Sequence, residues 1–415
     1  MWLSGGQWFD SASGAFKTGD VKVEDGRITE IGKAPSGSEC LDMEGRWLLP
    51  GFIDNHVHIT LDTATAAGNN VWRDALPGSI AIHAAWNARR LLMCGITTAR
   101  DVGGWDYHEI AVREAINDGQ IKGARLFCSG KILSITSSSS PYYPGMYEEC
   151  DSPEEVRKAA RKQLAMGANL IKILASGAVN STKYERADAI QLRPDEIAAA
   201  VEIAEDNHTH VAAHAHATDA IKHAVRCGCR SIEHGTYADD EARQMMVERG
   251  TFLVPTFCTA HAFLKDPAFA ERALPHVHER YKTLEALRQK QLTAARKAGV
   301  KVAMGTDVGT PGNHCGENMQ EVTLMVEKCG FSPAEAYTKT SNIHCSGDTT
   351  SGSYSSYYTT AAAACTANPS CTGIYLQGCS GSNYKLCTTS STYKSSSSGS
   401  CVWKKPSISG AAAAA

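Results

Sequence analysis

The stretch GFIDNHVHIT, residues 51–60, places two histidines two positions apart at the end of a short apolar run. Side chains alternate along a β-strand, so His56 and His58 share one face of the strand that this run predicts. In a barrel that face points inward, where two neutral imidazoles suit a metal ion. A lone His-x-His pair also fits a chance match or a polar pair within a core, so the metal interpretation needs further ligands.

Seven further β-rich runs follow this one, and helical patterns separate them. The runs are ITTARDV, ARLFCSG, LIKILAS, HVAAHAH, SIEHGT, TFLVPTF and KVAMGTD. Amphipathic stretches such as SPEEVRKAARKQLAMG and RPDEIAAAVEIAEDN lie between them, with Ser, Asp or Pro near their starts and Gly or Asn near their ends. Eight alternating strand and helix units predict an α/β protein whose residues 51–345 form a closed, TIM-like (β/α)8 barrel.

The two ends of the chain differ from this pattern. Residues 1–50 alternate polar and apolar positions, and GDVKVEDGRITEIGK (19–33) predicts two antiparallel strands joined by an Asp-Gly turn. Residues 346–415 are rich in Ser, Thr, Ala, Gly and Tyr and end in GAAAAA, a low-complexity composition that provides little apolar surface for a core. We therefore expect a small N-terminal β module before the barrel and an atypical segment after it.

Composition argues against several function classes. The 415 residues, 43% of them hydrophobic, suffice for a barrel of about 250 residues and a smaller module. A formal net charge of −3 with intermixed acids and bases provides no surface for nucleic acid or a membrane. We expect a soluble, cytoplasmic protein, because no apolar run spans a bilayer and no export signal is visible. The scattered cysteines favour free thiols in a reducing compartment over disulfides.

The ends of other predicted strands supply further metal-ligand types. HVAAHAH ends in His214 and His216, SIEHG in His234, and AMGTD in Asp307. Any one of these residues could be structural. Four strands that present such residues at one barrel rim predict a metal site, because buried polar groups without partners are costly.

A further candidate is Lys172 in LIKILASG. A lysine in an apolar strand is costly as a cation and is more often paired or extended towards water. Carboxylation by CO2 would turn its end into a carboxylate able to bridge two metal ions.

The motifs GFIDNHVHI, LIKILASGAV, VAAHAHATDAI, SIEHGTY and AMGTDVGTP, in this order, resemble those of the amidohydrolase superfamily. Within it they are most similar to a branch of dipeptidases and carboxypeptidases that includes prolidase-like and ochratoxin-hydrolysing enzymes. The resemblance runs from about residue 1 to 345. It implies a distorted barrel with two metal ions, most often zinc, and a β-sandwich formed by 1–50 and 346–415. It also implies a homo-oligomer.

The resemblance implies that six side chains bind the two ions. They are His56, His58, Lys172, His214, His234 and Asp307. The first two and Asp307 would hold the more buried ion, and His214 and His234 the more exposed one. Lys172, carboxylated, would bridge both ions. Mixed histidine and carboxylate ligands also accept manganese or cobalt, so the identity of the metal stays open.

Three of the implied roles concern the substrate. Asp307 would be the catalytic acid and base, and His216 would contact the substrate. Tyr237, in EHGTY, resembles a tyrosine that helps to receive the terminal carboxylate of the substrate. The alternative for Tyr237 is an aromatic residue at the rim that packs against a loop.

The implied activity is metal-dependent hydrolysis of an amide or peptide bond near a free carboxylate. Its small-molecule substrate would be a dipeptide or an N-acyl amino acid, including ochratoxin-like compounds. Hydrolysis of a cyclic amide or an imidazolone is an alternative within enzymes. A catalytically inactive scaffold with the same barrel is an alternative outside them.

The chain departs from the family pattern at two places. Relatives often have Gly-Gly-His after LSIT, whereas this chain continues with SSSSPYYPG, residues 137–145. Nothing in residues 346–415 matches Gly-x-Ile-x-x-Gly-x-x-Ala-Asp-Leu-Val, the pattern that would close the β-sandwich. The first departure leaves the mouth of the pocket, and with it the substrate, unassigned.

Overall fold

The computed structural model describes residues 1–11, 13–61, 76–265, 267, 273–332 and 335, and the backbone of three strands between 374 and 402. The N-terminal strands are β1 (Trp2–Ser4), β2 (Gln7–Asp10), β3 (Ala15–Thr18), β4 (Asp20–Glu24), β5 (Arg27–Gly32), β6 (Cys40–Asp42) and β7 (Trp47–Leu48). The central strands are β8 (Phe52–Val57), β9 (Ile96–Asp101), β10 (Arg125–Cys128), β11 (Ile132–Ser134), β12 (Tyr147–Glu149), β13 (Ile171–Leu174), β14 (Val211–Ala215), β15 (Ser231–His234), β16 (Phe252–Val254) and β17 (Lys301–Val302). The C-terminal strands are β18 (Ile374–Gln377), β19 (Asn383–Leu386) and β20 (Ser400–Val402).

The α-helices mostly lie between the central strands. They are α1 (Pro77–Met93), α2 (His108–Asn117), α3 (Pro153–Ala165), α4 (Pro194–Asp206), α5 (Thr218–Cys227), α6 (Asp240–Arg249), α7 (Cys258–Lys265), α8 (Pro275–Ala298) and α9 (Met319–Cys329). A short 3₁₀ helix spans Ser140–Tyr142.

The central strands form two parallel sheets that hydrogen bonds connect into a ring. One sheet has the order β10-β9-β8 and the other β12-β11-β13-β14-β15-β16-β17. On one side the amide of His58 donates to the carbonyl of Val308 at 2.8 Å. On the other side the amide of Asn169 donates to the carbonyl of Cys128 at 2.7 Å. The prediction of an α/β fold with a parallel sheet is therefore confirmed, and each of the eight predicted strands is present.

Strands β11 and β12 were not predicted. Each has three residues, too few for a periodic pattern to distinguish a strand from a loop. The two helices predicted from SPEEVRKAARKQLAMG and RPDEIAAAVEIAEDN are confirmed as α3 and α4. Helix α3 begins with Pro153 directly after Ser152, whose hydroxyl accepts a hydrogen bond from the amide of Glu155, a combination typical of helix N-termini.

The N-terminal strands form two small sheets, with the orders β5-β4-β1-β6 and β3-β2-β7. The predicted hairpin is β4–β5, and its turn places Asp25 and Gly26 at φ 48° and 72°. A turn with positive φ at two successive residues matches the twist of a hairpin, and Asp-Gly tolerates that backbone. The Asp-Gly turn is thus confirmed.

The C-terminal strands β18, β19 and β20 pair with one another. Among the described residues, none of them pairs with the N-terminal sheets, so a β-sandwich formed from both chain ends stays a prediction. The other residues of 346–415 lie outside the described part of the chain.

The barrel core is densely apolar, and strands β13 and β14 are buried along their whole length. Nine described cysteines carry free thiols, most of them in this core. Within the described ranges, the helices fall short of the length and apolarity that crossing a bilayer requires.

Candidate metal centre

The candidate metal ligands lie around one cavity at the carboxyl ends of the barrel strands. They are His56 (β8), His58 (just after β8), Lys172 (β13), His214 (β14), His234 (β15) and Asp307 (after β17). The space in front of them, including the part that opens to solvent, is about 650 Å³, and each of these side chains is buried. The structure therefore brings together all six side chains, which are far apart in the chain. His216 lines the same cavity.

Two of these residues have an unusual backbone conformation. His234 and Asp307 adopt φ of 72° and 59°, in the left-handed region that residues other than glycine rarely occupy. Glu233 and His234 are neighbours on β15, yet both side chains reach the barrel interior, because the left-handed turn at the strand end interrupts the alternation of side chains. Non-glycine residues in this region concentrate at functional sites.

Potential ligand atoms lie within a few ångströms of one another. The Nε2 atoms of His56 and His58 are 3.4 and 3.3 Å from Oδ1 of Asp307. Ligand atoms of His56, His234 and Asp307 all lie within 4.8 Å of one another, as do those of His214, His216 and His234. Two ligands that are each about 2.1 Å from one ion are separated by at most about 4 Å, so small adjustments would suffice to hold divalent ions.

The other ring nitrogen of most of these histidines is already hydrogen-bonded. Nδ1 of His56 lies 2.7 Å from Oε2 of Glu233, and Nδ1 of His58 donates to the carbonyl of Gly103 at 2.9 Å. Metal-binding histidines are usually held in this way, which directs the free nitrogen towards the ion. The neighbouring rings follow the same arrangement, with Nδ1 of His216 2.6 Å from the Thr236 hydroxyl and Nδ1 of His234 2.7 Å from the Thr256 hydroxyl.

His214 uses the opposite nitrogen. Its Nε2 donates to the carbonyl of Gly177 at 3.2 Å, which leaves Nδ1 for the cavity. Each ring therefore keeps one nitrogen for the centre, so the donor set of this chain fits divalent cations.

Burial and neighbouring side chains keep His214, His234 and Asp307 in the protonation states that metal binding requires. Burial, assisted by the charge of Lys172, lowers the pKa of His214 to about 3, and burial lowers the pKa of His234 well below its usual value. Burial raises the pKa of Asp307, but His56 and His58 lower it to a net value below its usual range. The imidazoles of His214 and His234 are thus neutral near neutral pH, and the carboxyl of Asp307 is ionised.

Lys172 is enclosed by the barrel and 1% exposed. Burial lowers its pKa to about 8, although the acidic side chains nearby raise it in part. A substantial fraction of this amine is therefore neutral and nucleophilic near pH 7–8.

Tyr237 is half-buried and is not among the residues that line the cavity. Its amide donates to the carbonyl of His216 at 3.0 Å, and its carbonyl accepts from the Thr218 hydroxyl at 2.6 Å. The predicted contact of its phenol with a substrate stays a prediction.

Sequence reasoning missed Arg288 and Tyr281, which α8 contributes to the cavity. Both lie on the buried stripe of α8, which consists of Val277, Tyr281, Leu284, Arg288, Leu292 and Ala295. An arginine at a position of the apolar stripe was the available signal, because spacings of three and four residues define one helix face.

The fold and this cluster define a class of protein. Residues 47–343 match the amidohydrolase family, and the chain belongs to that family. The similarity confirms the superfamily and the branch that the sequence motifs indicated.

Particular relatives sharpen the comparison. Ochratoxinase of Aspergillus niger is 33% identical over 321 residues, which cover 70% of this chain and 63% of that protein, so the chain spans just under two thirds of its length. A crystal structure of a Xaa-Pro dipeptidase with methionine in its active site has a TM-score of 0.73 and 28% identity, and covers 82% of this chain and 86% of its own. A prolidase in complex with N-methylphosphonate-L-proline has a TM-score of 0.71 and 32% identity, over 79% and 83% of the two chains.

Proposed function

We propose that the protein is a binuclear metal-dependent amidohydrolase that cleaves an amide or peptide bond close to a free carboxylate. Its substrates would be dipeptides or N-acyl amino acids. The observation that carries the proposal is the meeting of His56, His58, His214, His234 and Asp307 around the buried amine of Lys172. The names of the ochratoxinase, dipeptidase and prolidase relatives support the same bond class.

In this proposal His56, His58 and Asp307 hold one divalent ion, and His214 and His234 hold the other. Zinc is the expected metal, because imidazole and carboxylate ligands suit it. When bound, such ions would supply a water molecule of lowered pKa and would polarise the carbonyl of the scissile bond.

Lys172 supplies a bridging carboxylate after it reacts with CO2. The neutral amine adds to the carbon of CO2: an N–C bond forms, one C–O π bond breaks with its electron pair moving to oxygen, and one N–H proton leaves to solvent. The lowered pKa of Lys172 supports this step, because only the neutral amine has a free electron pair.

Asp307 accepts a proton from the attacking water and delivers it to the leaving nitrogen. His216 contacts the substrate, since its Nδ1 is held by Thr236 and its other edge lines the cavity. The opposite wall is apolar and aromatic, formed by Leu61, Ile132, Tyr143, Met146 and Tyr147, and would hold the apolar part of the substrate. Tyr237 would act outside this wall, at the rim.

The test combines metal analysis with hydrolysis. Freshly purified protein is expected to contain about two divalent ions per chain, to lose hydrolysis of N-acyl amino acids and dipeptides on chelation, and to regain it on addition of zinc. Asp307→Asn is expected to retain much of the metal and to lose about 10²–10⁴-fold in kcat. Near-normal turnover of this variant would remove Asp307 from the proton-transfer role.

The same assays separate the alternatives. Hydrolysis of cyclic ureides or imidazolones without activity on N-acyl amino acids would favour the cyclic-amide alternative. Protein that binds no metal and hydrolyses none of these compounds would favour the inactive scaffold.

A further inference from the structure

Arg288 is a buried cation that forms no ion pair with any of the described residues. It is 4% exposed, and it lies on α8 against the cavity of the candidate metal centre. Nη1 donates to the carbonyl of Thr256 at 2.9 Å. Nε has no hydrogen-bond partner, and within the described ranges no carboxylate oxygen lies at ion-pair distance from the guanidinium.

A guanidinium in this situation is energetically unfavourable. Burial lowers the pKa of Arg288, yet arginine does not give up its proton in proteins, so the charge stays. Burying an unpaired charge is costly, and buried charges are normally paired or bound to ligands. Because Arg288 lines the cavity, a ligand there can supply the missing anion.

The anion that fits best is a carboxylate. A guanidinium presents donors in a planar fork that matches the two oxygens of a carboxylate. Arg288 is the one arginine among the described lining residues, so the cavity offers a single guanidinium fork, which matches one carboxylate.

We infer that Arg288 binds the free carboxylate of the substrate inside the cavity and thereby sets the distance from that carboxylate to the scissile bond. This inference rests on the proposed function. It gives the carboxylate a receptor on α8, within the cavity, in addition to the predicted contact with Tyr237 at the rim. The aromatic wall with Tyr143 and Tyr147 then receives the other part of the substrate.

Two substrates that differ only in the carboxylate test this inference. N-Benzoyl-L-phenylalanine and N-benzoyl-2-phenylethylamine contain the same amide bond, and the second lacks the carboxylate. For the acid, Arg288→Met is expected to lower kcat/KM by at least about 100-fold, because truncation of one partner of a buried charge pair has effects of this size. For N-benzoyl-2-phenylethylamine, which lacks the carboxylate, the same substitution is expected to change kcat/KM by no more than a few-fold.

The controls separate charge, geometry and folding. Arg288→Lys retains the charge without the fork and is expected to lie between the wild type and Arg288→Met for the acid. Lys290→Met removes a cation from the exposed face of the same helix and is expected to leave both substrates unchanged. An equal loss for both substrates in Arg288→Met, with the fold intact by circular dichroism, would overturn the inference.

Binding measurements keep the inference independent of turnover. Calorimetry measures the affinity for N-benzoyl-L-phenylalanine and for N-benzoyl-2-phenylethylamine. The wild type is expected to bind the acid more tightly than the compound without a carboxylate, and Arg288→Met is expected to bind both equally. If the wild type hydrolyses neither compound but shows this preference, the proposed function fails, whereas the binding of a carboxylate by Arg288 stands. Equal affinity of the wild type and Arg288→Met for the acid would overturn the inference, whatever the turnover.

Discussion

Arg100 and Arg288 are the two most deeply buried arginines in the described part of the chain, and their surroundings differ. Below the candidate metal centre, Arg100 is fully paired, with Nη2 2.6 Å from Oε1 of Glu233 and Nε donating to the carbonyl of Asn55 at 2.7 Å. Beside the centre, Arg288 donates to one carbonyl and forms no ion pair within the described ranges. The barrel floor is thus a complete structural network, whereas the cavity keeps one charge for a ligand.

The largest expected effect comes from removing one member of the network that Arg100, Glu233 and His56 form at the barrel floor. Burial raises the pKa of Glu233, but the charge of Arg100 and the hydrogen bond with His56 lower it to a net value well below its usual range. Glu233→Gln leaves Arg100 as an uncompensated buried cation and is expected to reduce the free energy of unfolding by about 3–5 kcal/mol. Urea denaturation of the metal-replete protein measures this loss.

A double-mutant cycle shows whether the pairing itself is responsible. Arg100→Met alone is expected to destabilise by a similar amount, and the double variant Arg100→Met/Glu233→Gln by at least about 2 kcal/mol less than the sum. Strict additivity would mean that the two charges do not stabilise each other, and the contrast with Arg288 would lose its basis.

Glu109, on α2, sharpens the comparison because it is a buried acid that forms no ion pair within the described ranges. It is fully buried, and its oxygens have no hydrogen-bond partner among the described residues, although the amides of Glu109 and Gly130 and the charge of Arg113 lower its pKa in part. Burial, with a smaller contribution from the charge of Asp101, raises its pKa to about 8. It does not line the cavity. A buried carboxylate can be neutralised by taking up a proton, whereas the charge of Arg288 can be balanced only by a bound anion.

The pH dependence of stability tests this difference. At a pH below the ordinary pKa of glutamate, Glu109 is protonated in both the folded and the unfolded protein. Between that pH and about 8, Glu109 loses its proton in the unfolded protein and keeps it in the folded protein. The folded state then binds more protons, so stability falls as pH rises through this window and the loss is complete above pH 8. Glu109→Gln is expected to become more stable relative to the wild type between pH 5 and 8, by on the order of 3 kcal/mol.

The matched control is Glu205→Gln on the exposed face of α4. The difference in free energy of unfolding between this variant and the wild type is expected to stay constant over the same pH range. A flat difference for Glu109→Gln as well would mean that Glu109 ionises normally within the folded protein.

The sequence predicted the strands and the histidine cluster because both depend on local patterns. Each barrel strand is a short apolar run, and parallel strands end at one rim, so His56, His214 and His234 were predicted to converge before any coordinates. Strands β11 and β12 were missed because they are too short to show a period.

The paired and unpaired charges could not be predicted in the same way. Glu233 precedes His234, and regular alternation would direct it to the opposite face; only the left-handed backbone at His234 brings both inward. The pairing of Glu233 with Arg100 joins residues 133 positions apart, a distance over which no local pattern operates. Arg288 stands on an apolar helix stripe, but its lack of an acid partner is a property of the packed structure.

The smallest expected effect is the stability of Arg288→Met, and it is the direct counterpart of Arg100→Met. The substitution removes one hydrogen bond to the Thr256 carbonyl, a loss of about 1 kcal/mol, but it also removes a buried charge that forms no ion pair with the described residues. We therefore expect the free energy of unfolding to change by less than about 1 kcal/mol in urea denaturation without ligand. A saturating carboxylate ligand should raise the Tm of the wild type and not of this variant, because it binds only a folded state that offers the guanidinium. A ligand-free loss as large as that of Arg100→Met would show instead that Arg288 belongs to the framework of the barrel, like the floor network.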